Sequence, residues 1–408
     1  MTVTAADVQR ARAAVEGIAR HTPILPSATL SDHAGVDVVL KAESLQRTGA
    51  FKVRGALAKL AALGDGCSAG VVLGSAGNHA QGTAWAAAQL GVPCVVYMPA
   101  DSSIQKAEGA ADLGADVRLE GDTVEDAVAA ARAHAQEHGL AFVHPFDDPD
   151  IVAGQGTLGL ELLEDLPNLS TVLVPVGGGG LCSGIAVAVK AARPDVRIVG
   201  VQVESCAAFP ESLRTRSPVT ATTVAPTLAD GIAVKRPGEL TLALMAEHVD
   251  ELVVVPEDDV AEAMVLLLEK AKLVVEGAGA VGAAALLGRQ VVPSPRDRDG
   301  GSICVVLSGG NVDAGTLALV ARRHETEVGR RVVLFTRLPD RPGSLARLLD
   351  CVAQTGANLL DVDHVREGVD LHVRETAIQL VLETRGSEHA DAVQRAIASA
   401  GYAARVVR

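Results

Sequence analysis

The sequence predicts an α/β protein in two parts: a large two-subdomain domain of mostly parallel βα units over residues 1–325, and a smaller βαββαβ, ferredoxin-like domain over residues 330–408. Three observations carry this. From residue 36 to about 324, short β-branched runs alternate with Ala/Leu-rich stretches, the pattern of α/β layers. The runs are continuously apolar rather than alternating, as strands buried on both faces of a parallel sheet are. After His324 the order becomes strand, helix, strand, strand, helix, strand.

In chain order, strands are expected at residues 38–40, 71–74, 94–98, 172–176, 198–203, 252–255 and 303–307. Gly91-Val92-Pro93 and Gly114-Ala115-Asp116 each read as a helix stop followed by a strand start, and mark a βα subdomain over about 49–146. A short hinge at 325–330 should lead into a strand at 331–338. Asp340-Arg341-Pro342-Gly343 then turns the chain into a helix at 344–355, with Ser344 as its N-cap. Strands at 358–365 and 376–383, a helix from 388 to 400 and a last strand at 402–407 complete the order.

Bulk properties exclude several function classes. The 408 residues exceed one ordinary core. Aromatics at 2% leave few platforms for base stacking, and a net charge of −14 opposes a nucleic-acid partner, which needs concentrated Lys and Arg. No secretion signal opens the chain, and the apolar run 261–287 is broken by Glu269, Lys270, Lys272 and Glu276, so no membrane span is expected. The six cysteines form no Cys-x-x-Cys pair, as in reduced thiols of a cytoplasmic chain, and structural zinc is not expected.

Four segments carry candidate chemistry. In Thr48-Gly49-Ala50-Phe51-Lys52-Val53-Arg54-Gly55-Ala56, Lys52 follows a glycine turn and precedes a helical run. A lysine so placed can be held partly desolvated, as an aldehyde-binding amine requires, although an exposed helix-start lysine reads the same way. Strand 71–73 runs into Gly74-Ser75-Ala76-Gly77-Asn78-His79-Ala80-Gln81-Gly82 and an Ala-rich helix. Backbone N–H groups there could bind an anion, or the turn could simply cap the helix. Strand 172–176 is followed by Gly177-Gly178-Gly179-Gly180-Leu181 and an apolar helix starting near Ser183. Such a run either presents N–H groups to a phosphate or is a flexible turn. Strand 303–307 ends in Ser308-Gly309-Gly310-Asn311, at the carboxyl edge where α/β sheets bind ligands.

Glu43-Ser44-Leu45-Gln46-Arg47-Thr48-Gly49-Ala50-Phe51-Lys52 resembles the lysine motif of the tryptophan-synthase-β-like, fold type II pyridoxal-phosphate enzymes, and specifically of the threonine ammonia-lyases, also called threonine dehydratases. With the Ser-x-Gly-Asn-His-like loop, the glycine run and the strand-end serine, the likeness covers residues 22–311 with the motifs in family order. It implies pyridoxal 5′-phosphate as cofactor, Lys52 as the lysine that carries it and acts as base, and Phe51 beside it. It further implies Asn78 on the cofactor's 3′-oxygen, Gly177 to Gly180 and Leu181 around its phosphate, and Ser308 at its ring nitrogen. Ser75, Ala76, Gly77 and Asn78 would grip the substrate carboxylate, and His79 would be structural. Where family members often carry Ser, this chain has Ala50.

Related serine racemases place a serine acid/base where Ala76 stands, so elimination is favoured over racemisation here. Their divalent cation uses a glutamate matched by Glu204 and an aspartate where this chain has Pro210; no metal is assigned. His144-Pro145-Phe146-Asp147, Gly154-Gln155-Gly156-Thr157 and Ala229-Asp230-Gly231-Ile232-Ala233-Val234 are family-like text expected to shape the substrate pocket.

Residues Leu334-Phe335-Thr336-Arg337-Leu338-Pro339-Asp340-Arg341-Pro342-Gly343-Ser344-Leu345 and Gly356-Ala357-Asn358-Leu359-Leu360 resemble an ACT domain, an amino-acid-sensing module. The resemblance implies L-threonine conversion to 2-oxobutanoate and ammonia, with L-serine giving pyruvate, allosteric control by isoleucine or valine as in isoleucine biosynthesis, and a homodimer or homotetramer. The alternatives are a serine racemase/dehydratase, a cysteine-synthase-like transferase, or an amino-acid-binding regulatory protein whose enzyme half has decayed; the C-terminal module could also serve dimerisation alone.

Overall fold

The computed structural model describes residues 2–366 and 371–407; the expected domain limits at Met1 and Arg408 lie outside the described residues. In chain order the strands up to residue 307 are β1 (Ile24–Pro26), β2 (Asp37–Ala42), β3 (Val71–Gly74), β4 (Cys94–Met98), β5 (Asp116–Leu119), β6 (Ala141–Phe142), β7 (Leu169–Pro175), β8 (Arg197–Val203), β9 (Glu251–Val255) and β10 (Ser302–Leu307). They form two sheets. One is six-stranded, ordered β1-β2-β10-β7-β8-β9, with β1 antiparallel and the rest parallel. The other is parallel and four-stranded, ordered β5-β4-β3-β6.

Every strand expected in this region forms. β7 and β10 are buried along their whole length, which is why their sequences carry no alternation. The unpredicted β1 and β6 are two- or three-residue edge strands, half-buried and too short to leave a continuous apolar run. Local chemistry sets the helix ends. Gly91 stops the helix Asn78–Leu90 at φ 68°, and Thr123 with Asp126 forms a capping box on Val124–His138.

The helix Pro149–Asp165 starts with Asp148 as N-cap and packs against the helices Ala5–Val15, Lys52–Leu63 and Gly180–Ala192. Its glycines allow the approach. A Cβ on Gly154 would lie 2.6 Å from the Arg54 carbonyl oxygen, and one on Gly156 would lie 2.8 Å from that of Gly184. Gly154-Gln155-Gly156-Thr157 is therefore a helix-packing surface, not the pocket wall its likeness implied. The helix after the glycine run begins at Gly180 rather than near Ser183, because the turn is complete at Gly179 with φ 91°.

By internal contacts the chain divides into Met1–Val312 and Asp313–Arg408. The helix Ala314–Glu327 thus goes with the second unit, not with the first domain as expected, and only three residues separate it from the next strand. This unit holds β11 (Arg331–Pro339), β12 (Asn358–Val365), β13 (Glu375–Glu383) and β14 (Arg405–Val406), antiparallel in the order β12-β13-β11-β14. With the helices Ser344–Gln354 and Ser387–Ser399 it is βαββαβ, around a core that includes Leu334, Leu348, Ile378, Leu380, Val393 and Ile397. Ser344 is not the N-cap. Gly343, at φ 83°, takes that place, and Ser344 is the buried first helical residue.

Candidate active site

Lys52 is the first residue of the helix Lys52–Leu63, and its Nζ donates to the Pro145 carbonyl oxygen at 3.0 Å and lies 5.1 Å from the Phe51 ring centre. Burial pushes the amine down to about 8, partly opposed by Glu276. Phe51 ties this helix start to the large sheet, because its N–H donates to the Ser308 carbonyl oxygen at 3.1 Å just beyond β10. Ala50 bridges to Gly309, and the Gly310 N–H donates to the Gly49 carbonyl oxygen at 2.8 Å.

The Ser75–Asn78 loop comes from β3 of the small sheet. Gly82, one turn into the helix Asn78–Leu90, brings it against Lys52: a Cβ there would lie 2.9 Å from the lysine's own. Among the described residues nothing accepts the backbone N–H groups of Asn78 and His79, and a Cβ on Gly77 would meet open space. His79 is buried, with Nε2 at 3.2 Å from the Val143 carbonyl oxygen; burial, with Lys52 nearby, pushes it down to about 3, so the ring is neutral near pH 7.

The glycine run reaches the same place through Phe146, whose preceding residue accepts from Lys52. A Cβ on Gly178 would fall 2.2 Å from the Phe146 ring, and one on Gly177 would lie 3.0 Å from Ile232 Cα. Gly179, Gly180, Leu181 and Cys182 are buried, and among the described residues nothing accepts their N–H groups. Phe146 of the segment 144–147 and Ile232 of the segment 229–234 thus border the glycine run.

Two residues at the centre were not singled out from the sequence. Glu276, 5% exposed, accepts from Asn78 Nδ2 at 2.7 Å, and Asn311 Nδ2 donates to Asn78 Oδ1 at 2.8 Å. The signal was present: Glu276 is a lone carboxylate before the wholly apolar helix Gly277–Leu287. Burial, with Asp230, pushes it up to about 7. Glu204 is exposed and its Oε1 accepts from the Glu257 N–H at 3.4 Å, while Pro210 lies in the helix Phe209–Thr215. Among the described residues no group of three or more His, Cys, Asp or Glu could hold a metal ion, and no helix is long and apolar enough to cross a membrane.

Residues 15–309 match the family described as "Pyridoxal-phosphate dependent enzyme". An L-threonine ammonia-lyase of Thermotoga maritima is 43% identical over 99% of this chain and 100% of its own. Among solved structures, the processed form of threonine deaminase isoform 2 from Solanum lycopersicum is 33% identical with a TM-score of 0.72, covering 77% of this chain and 90% of that one. A maize serine racemase is 32% identical with a TM-score of 0.74, covering 80% and 99%.

Proposed function

The chain belongs to the pyridoxal-phosphate dependent enzyme family, and from that premise we propose that it is an L-threonine ammonia-lyase converting L-threonine to 2-oxobutanoate and ammonium, with L-serine giving pyruvate as a secondary activity. The observation that carries this reading is the placement of Lys52, a desolvated amine at about 8 beside two helix starts whose N–H groups have no acceptor among the described residues.

The residues present fit pyridoxal 5′-phosphate. The N–H groups of Gly179 to Cys182 suit a phosphate, which gains from the helix dipole behind them. The glycines leave no room for side chains between that helix start and Phe146. Ser308, at the carboxyl end of β10, supplies a hydroxyl for the ring nitrogen, and Asn78 an amide N–H for the 3′-oxygen. When bound, the cofactor supplies an electron sink that acidifies the substrate α-carbon.

The chain's own residues do the rest. A lysine lowered to about 8 is neutral often enough near neutral pH to act as nucleophile and then as base at the α-carbon. The Ser75–Asn78 loop holds the substrate carboxylate on its free N–H groups. Loss of the α-proton and the β-hydroxyl as one water, then uptake of one water to replace the nitrogen by the keto oxygen and release it as ammonium, balances threonine against 2-oxobutanoate and ammonium. Ala76 offers no second proton donor, which supports elimination over the racemisation named for the maize relative.

We assign the βαββαβ part of the second unit, residues 330–408, as an ACT-like regulatory module that binds isoleucine or valine, on a cytoplasmic homodimer or homotetramer. Its βαββαβ order and the motif around Asp340 to Ser344 support this.

Lys52→Ala should lose the visible absorbance that the covalently held cofactor gives and lower keto-acid formation from threonine by more than the ~10²–10⁴-fold typical of a missing general base. Near-normal turnover in that variant would refute the reading. Assays with L-serine and D-serine separate lyase from racemase.

A further inference from the structure

Glu276 occupies the N-cap position of the helix Gly277–Leu287 yet makes no side-chain cap bond to it. Its carboxylate turns instead to Asn78, whose Nδ2 donates to Oε1 at 2.7 Å. Glycines make the space: a Cβ on Gly309 would lie 2.3 Å from that oxygen, and one on Gly231 would lie 3.4 Å from it. On the opposite side of the Asn78 amide, Asn311 Nδ2 donates to Asn78 Oδ1 at 2.8 Å and to the Thr48 carbonyl oxygen at 2.8 Å. An amide whose oxygen is taken by a donor and whose nitrogen faces a carboxylate has one orientation. Flipping it would set nitrogen against the Asn311 nitrogen and oxygen against the Glu276 oxygen.

We propose that Glu276 and Asn311 are positioning residues that lock the Asn78 side chain in one orientation, with one amide N–H committed to the carboxylate and the other left for an oxygen of the bound cofactor. The inference rests on the function proposed above, because the oxygen it serves is the cofactor's. Neither residue need touch substrate. The carboxylate is faced by Asn78, Asn311, Lys52, Asp230 and Lys106, and burial with Asp230 pushes it up to about 7. Below that pH it loses its charge and becomes a weaker acceptor for Asn78, so the grip on the cofactor should loosen in acid.

The test compares wild type, Glu276→Gln and Asn311→Ala by equilibrium dialysis against pyridoxal phosphate, thermal unfolding without cofactor, and kcat/KM against pH. A buried group left without its partner implies about 10–100-fold weaker cofactor binding in both variants, with unfolding midpoints no lower than wild type. The inflection near pH 7 should vanish in Glu276→Gln and persist in Asn311→Ala. Unchanged cofactor affinity in both overturns the proposal, as does a shared loss of stability with an unchanged pH profile. Should Glu276→Gln not fold, Asn311→Ala decides alone, because Asn311 is exposed and its amide acts from the other side. If wild type itself binds no pyridoxal phosphate, the proposed function falls instead.

Discussion

At the scale of single residues, the site is held at odds with stability. Lys52 is depressed from 10.5 to about 8, so the native state binds fewer protons than the unfolded chain across that window. Its contribution to stability is full above 10.5 and lost as pH falls through 8. Glu276 is raised from 4.5 to about 7, so its contribution is full below 4.5 and lost as pH rises through 7. Both losses coincide between those two values. Lys52→Met should therefore raise the unfolding midpoint of the cofactor-free protein near pH 7.5, by about 2–4 °C per kcal/mol relieved. The gain should disappear above pH 10.5; a midpoint that does not respond to pH would contradict the assignment. Arg54 is the opposite case. It is fully buried between Glu43 and Glu161, donating to them at 2.8 and 2.6 Å. Burial would raise the Glu43 carboxyl, but Arg54 offsets this and holds it below the usual range. Arg54→Met leaves Glu43 buried without its partner and should destabilise by about 3–5 kcal/mol in denaturant unfolding.

At the scale of elements, the glycines divide by what they face. Gly154 lets the helices Lys52–Leu63 and Pro149–Asp165 touch backbone to backbone; a Cβ there would lie 2.7 Å from Gly55 Cα. Gly154→Ala should cost about 1–3 kcal/mol as overpacking, read as a lowered midpoint, and should displace Lys52 because that helix carries it. Gly178 faces the Phe146 ring beside the proposed phosphate site, so Gly178→Ala should act there, with cofactor affinity falling more than stability does. Equal losses in both measurements would mean that the loop is only structural. Gly77 borders open space, so packing does not require a glycine there.

At the scale of the whole molecule, two compact units share one chain, and the Thermotoga maritima relative covers both while the solved threonine deaminase and serine racemase cover 77% and 80% of it. The second unit's own core, centred on Leu348, Leu380 and Val393, makes it a self-contained body. If it senses amino acids, isoleucine or valine should shift the apparent threonine affinity by about 5–150-fold, the range of ~1–3 kcal/mol coupling. Flat kinetics across a panel of amino acids would leave the module a structural role.

The sequence by itself determined the main strand-helix order and the buried character of β7 and β10, because periodicity and turn chemistry are local, and it marked four candidate segments, with Lys52, Asn78, the glycine run and Ser308, to which the family resemblance gave roles. Tertiary structure alone decided the rest. Glu276 and Asn311 meet Asn78 from segments some two hundred residues away in the chain, and the packing duty of Gly154 to Thr157 depends on which helices cross there. Nor could local patterning assign the helix Ala314–Glu327 to the second unit, since that depends on what packs around it. Contacts between distant segments follow from how sheets and helices close on one another, and no spacing along the chain encodes them.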